Sequence, residues 1–114
     1  MEARAQLRYY RSSPRKVRLV ADMVRGVPVE RALSTLRLSS KYAASDMEKL
    51  VRSALANLEQ SQPGVDVDRV FVKRIVVDDG PRMKRGRPAS KWVRMHRILK
   101  RMCHVTVELA VRNS

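Results

Sequence analysis

Between Arg82 and Arg101 the chain reads RMKRGRPASKWVRMHRILKR. Nine of these twenty residues are basic, namely Arg82, Lys84, Arg85, Arg87, Lys91, Arg94, Arg97, Lys100 and Arg101, and none is acidic. The chemistry open to such a stretch is Coulombic. Side chains of one sign repel each other and cannot be buried together, so they need a polyanion to lie against. Apolar residues (Met83, Trp92, Val93, Met95, Ile98 and Leu99) are threaded through it, and strand-like sequence flanks it on both sides. It therefore reads as an ordered basic finger rather than a loose tail. Trp92 has two readings, a base-stacking residue or a ring packed across the finger.

The residues that could carry catalysis do not assemble into a site. The four glycines, Gly26, Gly64, Gly80 and Gly86, form no phosphate-cradling loop. Cys103, His96 and His104 are too few and badly spaced for zinc. Cys103 falls on the apolar side of a strand pattern and reads as a small core residue. His104 reads as a partnered surface histidine. Asp66, Asp68, Asp78 and Asp79 lie near strand ends, where turn and bulge roles are expected. The expectation is a protein that is not an enzyme and has no metal, no cofactor and no small-molecule substrate.

Composition narrows the partner. The chain has 114 residues and a net charge of +14, and taking away the nine charges of the finger leaves +5 on the other 94 residues. A mildly basic body with a strongly basic extension points to nucleic acid. Aromatic content of 4% speaks against an extended stacking platform for single strands. With one cysteine no internal disulfide can form, which suits a reducing cytoplasm. The first residues, MEARAQLRYYR, carry no apolar signal core, and no stretch approaches a membrane span, so no membrane partner is expected.

The elements that must position the finger follow from periodicity. Glu2 to Tyr10 alternates, with Ala3, Ala5, Leu7 and Tyr9 on one side, as in a half-buried strand. Ser13 and Pro14 open a first helix, with Ser13 capping it and Pro14 at its first position. That helix runs to about Arg25 and stops at Gly26. Its buried stripe is Val17, Val20, Ala21 and Val24. Arg15, Arg18 and Arg25 fall on another face, with Lys16 to one side. Basic residues in the first turn oppose the helix dipole, a local cost that nearby phosphates would relieve. Pro28 to Leu38 predicts a second helix, with Val29, Ala32, Leu33 and Leu36 inward. A third, capped by Ser39 or Ser40, is predicted from about Lys41 to Gln60, with Met47, Leu50, Val51, Ala54, Leu55 and Leu58 buried.

Beyond the break at Gln62-Pro63-Gly64, Asp68 to Asp78 reads as a β-branched strand. Asp79-Gly80-Pro81 fits a turn or a kink in a longer strand. The kink is preferred because the finger starts immediately after it. Leu99 to Val111 alternates again, with Leu99, Cys103, Val105, Val107, Leu109 and Val111 on one side, Arg101 being the exception, and Lys100, His104, Thr106 and Glu108 on the other. The pattern predicts an α+β fold: three helices packed on a small three-stranded sheet, with two strands extended into a long protruding basic β-hairpin. It is one domain, with a body at 1–81 and 102–114 and a finger at 82–101. Arms of about 18 residues would reach roughly 60 Å. A two-stranded ribbon is marginal alone in water, so something else must hold it.

Three ordered segments carry a resemblance. They are Ser13-Pro14-Arg15-Lys16-Val17-Arg18, then Val77-Asp78-Asp79-Gly80-Pro81 with Met83-Lys84-Arg85, then Ile98-Leu99-Lys100-Arg101 leading to His104-Val105-Thr106-Val107. In this order and spacing the chain resembles the bacterial large-subunit ribosomal protein L-twenty-two family, nearly end to end. The resemblance implies a cytoplasmic ribosomal protein bound to large-subunit rRNA near the exit of the peptide tunnel. It also implies neighbouring large-subunit proteins as partners, and a hairpin threaded through rRNA whose tip meets the nascent chain at the tunnel wall. The tip departs from the family pattern: Pro88 is followed by Ala89, Ser90, Lys91, Trp92 and Val93, and Gly86-Arg87 stands where apolar residues are common.

The candidate RNA-binding residues are Arg11, Arg15, Lys16, Arg18, Arg25, Arg82, Lys84, Arg85, Lys91, Arg94, Arg97, Lys100 and Arg101. The candidate tunnel-facing tip is Gly86, Arg87, Pro88, Ala89, Ser90 and Lys91. The alternative is a free DNA-binding regulator using a basic β-ribbon. Val27-Pro28 between the first two helices does not resemble a helix-turn-helix turn, which speaks against it.

Overall fold

The computed structural model describes residues 2–87 and 96–112. In chain order its elements are β1 (Glu2–Tyr10), α1 (Pro14–Val24), α2 (Val29–Leu38), α3 (Ala44–Ser61), a short 3₁₀ turn at Val67–Arg69, β2 (Val70–Arg87) and β3 (His96–Val111). The last strand is the middle of the sheet. The order is β1-β3-β2, and both pairings are antiparallel. The fold is α+β, as expected. In β3, Cys103, Val105, Val107 and Leu109 are completely buried, while His104, Thr106 and Glu108 are half-buried between them. The buried set faces the helices: α3 lies over β1 and β3, and α1 and α2 lie over β2. Val17, Val20, Ala21 and Val24 of α1, Leu36 of α2, and Met47, Val51, Ala54 and Leu58 of α3 complete one apolar core.

Simple alternation holds except where three bulges shift its phase. In β1, Leu7 pairs with Val105 but Tyr10 pairs with Cys103, so β1 carries one extra residue. The bulge turns the expected pattern round. Tyr9 is 61% exposed rather than inward, and Tyr10 packs against the core. Tyr9 takes φ 55°, a left-handed conformation that is costly for a residue with a bulky side chain. Its amide donates to Nδ1 of His104 at 3.0 Å, and the two rings meet edge to face at 4.8 Å, which holds the bulge in place. A second extra residue on β2, between Val72 and Arg74, puts Lys73 and Arg74 both outward and returns Ile75 and Val77 to the core. The third lies between Asp79 and Arg82. The strand continues through Asp79-Gly80-Pro81, as the kink reading expected. β2 is at the sheet edge, where a proline without an N–H is tolerated at a bulge. A Cβ on Gly80 would lie 3.2 Å from the backbone carbonyl of Met102, tighter than an ordinary contact, so the close strand approach at this bulge favours glycine.

Helix α1 begins as predicted, with Pro14 first and the Ser13 hydroxyl accepting the Lys16 amide at 3.4 Å. Gly26, at φ +77°, ends it. Helix α3 departs from expectation. It starts at Ala44 rather than about Lys41, and its cap position is Ala43, with no side-chain cap. The Ser39 hydroxyl accepts the Lys41 amide at 3.2 Å instead. Lys41 to Ala43 forms a turn, closed by the Ala44 amide on the Lys41 carbonyl at 3.1 Å. This turn buries Ala43 and Ala44 and sends Lys41 and Tyr42 outward.

Tyr10 links β1 to α3 through its hydroxyl, which donates to Oδ2 of Asp46 at 2.6 Å. Burial first, and then this carboxylate, raise the phenol above its ordinary value of 10. The folded state therefore favours the neutral phenol. That contribution is complete below about pH 10 and is lost as pH rises beyond it. Tyr10→Phe is expected to cost about 1–2 kcal/mol. It should also flatten the alkaline limb of stability against pH, as measured by urea unfolding between pH 8 and 11.

The molecule extends over 66 × 25 × 17 Å, with a radius of gyration of 17.6 Å. A compact chain of about 100 residues would have a radius near 13 Å. The excess arises because the β2–β3 ladder runs on past the helices, from Asp79↔Cys103 out to Arg87↔His96. No helix among the described residues is long and apolar enough to cross a membrane.

Candidate nucleic-acid interface

The sequence-predicted cations separate into three groups. The first is a corner of the body where β1 ends, α1 begins and the turn before α3 passes. Arg11 and Lys16 line a depression of about 460 Å³ there, together with Lys41, Tyr42, Leu19 and Ser13. Arg11 and Tyr42 also line a neighbouring depression of about 330 Å³, shared with Arg101 and Met102 at the foot of the ribbon. Three predicted residues, Arg11, Lys16 and Arg101, are thus brought together from distant parts of the sequence. Arg15 is exposed on the first turn of α1, which contains no acid. Among the described residues, none of these four cations makes an ion pair. The pairs that form use Arg25, Arg37, Arg52, Arg69 and Lys73.

The second group is Arg18 and Arg25. Sequence periodicity placed them on one face with Arg15, and the structure adds a task that periodicity did not show. Arg18 Nη2 donates to the Val77 carbonyl and Arg25 Nη2 to the Ile75 carbonyl, each at 3.0 Å. Arg25 also pairs with Asp22. The Gly26 amide donates to the Val72 carbonyl at 2.9 Å, and the Val72 amide to the Val27 carbonyl at 3.0 Å. Together these bonds cover the outer edge of β2 between Val72 and Val77, whose unpaired backbone groups would otherwise invite another strand. Both arginines remain exposed, so each keeps donors facing outward.

The third group is the ribbon. Its register runs Arg82↔Arg101, Met83↔Lys100, Lys84↔Leu99, Arg85↔Ile98, Gly86↔Arg97 and Arg87↔His96, so every one of these six rungs carries at least one Lys or Arg. Arg82 stands directly opposite Arg101. Like charges paired across two strands destabilise the pairing unless an anion sits between them. Lys91 and Arg94, the other expected tip residues Pro88, Ala89 and Ser90, and Trp92 lie outside the described residues. Gly86 and Arg87 end β2.

Lys41, Tyr42 and Leu19 were not among the sequence candidates. The available signal was Tyr42 itself, an aromatic residue off the apolar stripe of α3; it is 81% exposed. Cys103 is buried, and burial pushes its thiol above the ordinary range, which suits a core residue. His104 is occupied as the acceptor for Tyr9.

A family model described as Ribosomal protein L22p/L17e matches residues 5–110. The match takes in most of β1, all three helices and the β2–β3 ladder from Phe71↔Ala110 out to Arg87↔His96. Proteins of this family are structural components of the ribosome rather than enzymes, and rRNA binding is general to them. The charge distribution accords with that role: a body with a cationic corner, carrying a ladder that has a cation on every distal rung. The chain belongs to the ribosomal protein L22p/L17e family, as a large-subunit protein that binds rRNA among other ribosomal proteins in the cytoplasmic ribosome.

Proposed function

We propose that this protein seats its body on large-subunit rRNA through Arg11, Arg15, Lys16, Arg18 and Arg25. Its β2–β3 ribbon passes between RNA segments and reaches the wall of the peptide exit tunnel, where the tip meets the nascent chain. The observation that carries this reading is the cation on each of the six rungs from Arg82↔Arg101 to Arg87↔His96, in a ladder that leaves the body. Basic residues along the ladder neutralise phosphates and release counterions. A stiff ribbon bridges RNA segments that are distant in sequence, and it reads shape and backbone more than bases. The mechanism is positional and needs no catalysis.

The two ends of the molecule have different duties in this reading. The body and the arms supply affinity because their charges lie on packed or paired backbone. The tip, from Arg87 to Lys91, supplies shape in an open channel. Arg11→Ala combined with Arg15→Ala is therefore expected to reduce incorporation into large subunits several-fold in cells expressing the variant. Arg18 is left in place because its loss would also uncover the β2 edge. Deleting 87–91 is expected to leave incorporation nearly unchanged while altering the passage of nascent chains. A tip deletion that fails to incorporate, beside a double-alanine variant that incorporates normally, would refute this division. Copurification of the wild-type protein with DNA instead of rRNA would favour the β-ribbon regulator.

A further inference from the structure

The depression at the body corner has a composition that phosphate binding alone does not explain. Its floor is apolar, from Val20 and Ala43, and Leu19 stands 55% exposed beside it. Tyr42 borders it with 81% of its surface in solvent, on the short turn that displaces the start of α3. Arg11, Lys16 and Lys41 rim it, and none of its lining residues is acidic. Its volume, about 460 Å³, falls in the range of sites that take a small organic ligand. A flat aromatic face beside an apolar floor, ringed by three cations, matches an unstacked base with its flanking phosphates. A base within a duplex has both faces covered by its neighbours and could not use Tyr42. An extruded or single-stranded base could.

We propose that this corner is a nucleotide subsite. One unpaired nucleotide of the rRNA stacks its base on Tyr42 against Leu19, and Arg11, Lys16 and Lys41 hold its flanking phosphates. The inference rests on the rRNA-binding role and adds the class of RNA feature that is read. The adjoining depression shares Arg11 and Tyr42 and leads to Arg101. A strand leaving the subsite is therefore passed on to the foot of the ribbon. The rest of the interface reads backbone and shape, whereas this corner senses whether a base is free to leave its stack.

Binding of the full-length protein to protein-free large-subunit rRNA, by filter retention across a salt series, tests this. Tyr42→Ala is expected to weaken binding roughly tenfold without changing the salt slope, because stacking releases no counterions. Tyr42→Phe should bind like the wild type. Lys41→Gln should weaken binding and lower the slope by about one. Leu38→Ala serves as the control, since Leu38 is 85% exposed and does not line the corner. Ultraviolet crosslinking should join Tyr42 to a nucleotide that chemical probing of the free RNA marks as unpaired. Wild-type affinity for Tyr42→Ala, with rRNA binding and its salt slope intact, would overturn the subsite and leave the ribosomal role standing. Loss of affinity together with a smaller slope and no crosslink would reduce Tyr42 to a support for phosphate contacts and also overturn it. Failure of the wild type to bind rRNA at all would overturn both readings.

Discussion

Raising salt from 50 to 200 mM is expected to weaken binding of this protein to large-subunit rRNA by roughly 10³ to 10⁵, the response of an interface that neutralises about six to ten phosphates. The expectation follows from where the charges lie. Six consecutive rungs of the ladder carry at least one cation each, and Arg11, Arg15, Lys16 and Arg101 make no ion pair among the described residues. Each exchange of a condensed counterion for a Lys or Arg adds to the slope of affinity against salt. Contributions spread over so many sites also predict shallow single mutants: removing one ribbon cation should lower the slope by about one and leave most of the affinity. Filter binding at five salt concentrations measures both. A nearly flat response would mean that apolar or stacking contacts dominate, and the electrostatic account of the ribbon would fail.

Leu109→Ala is expected to cost about 2–5 kcal/mol, a large part of the 5–15 kcal/mol that stabilises a typical domain. Leu109 is completely buried on the central strand, with Ala3 opposite it on β1 and Val72 on β2. Ala3 carries only a methyl group, which has no rotamer that could reach into the gap. Val72 sits beside a bulge and is held by two backbone hydrogen bonds to the α1–α2 connection, with Gly26 and Val27, so it cannot shift inward easily. The cavity should persist, and the whole penalty should appear as a lower urea midpoint with an unchanged slope. Leu38→Ala, a change of the same kind at a site 85% exposed, should stay within about 0.5 kcal/mol. A Leu109→Ala loss below 1 kcal/mol would mean that the sheet collapses around the gap and that β3 is not the rigid centre of the body.

The helical stripes and the core face of β3 were legible because burial imposes periods of 3.6 and 2 directly on residue type. Val17, Val20, Ala21 and Val24 are buried as read, as are Cys103, Val105, Val107 and Leu109. The bulges were not legible, apart from the kink at Asp79-Gly80-Pro81. Each bulge is a mismatch between two strands, and a single strand read alone carries no record of how many residues oppose it. Tyr9 and Tyr10 therefore exchanged places. The start of α3 was not legible, because Ser39 and Ser40 have the right cap chemistry, whereas the helix begins at Ala44 after a turn in which Ala43 and Ala44 are buried.

The sequence by itself determined the fold class, the basic character of the extension and the ribosomal family, because net charge, periodicity and ordered motifs are properties of the chain read in one dimension. Which cations act together was decided only by tertiary structure. Arg11, Lys16, Lys41 and Arg101 are up to 90 residues apart in the chain, yet they border two adjoining depressions because β1 pairs with β3 and α3 begins late. Arg18 and Arg25 looked equivalent to Arg15 on a helical projection. They became supports of the sheet edge because the outer carbonyls of β2 lie beside them, and an unpaired carbonyl next to a guanidinium accepts its hydrogen.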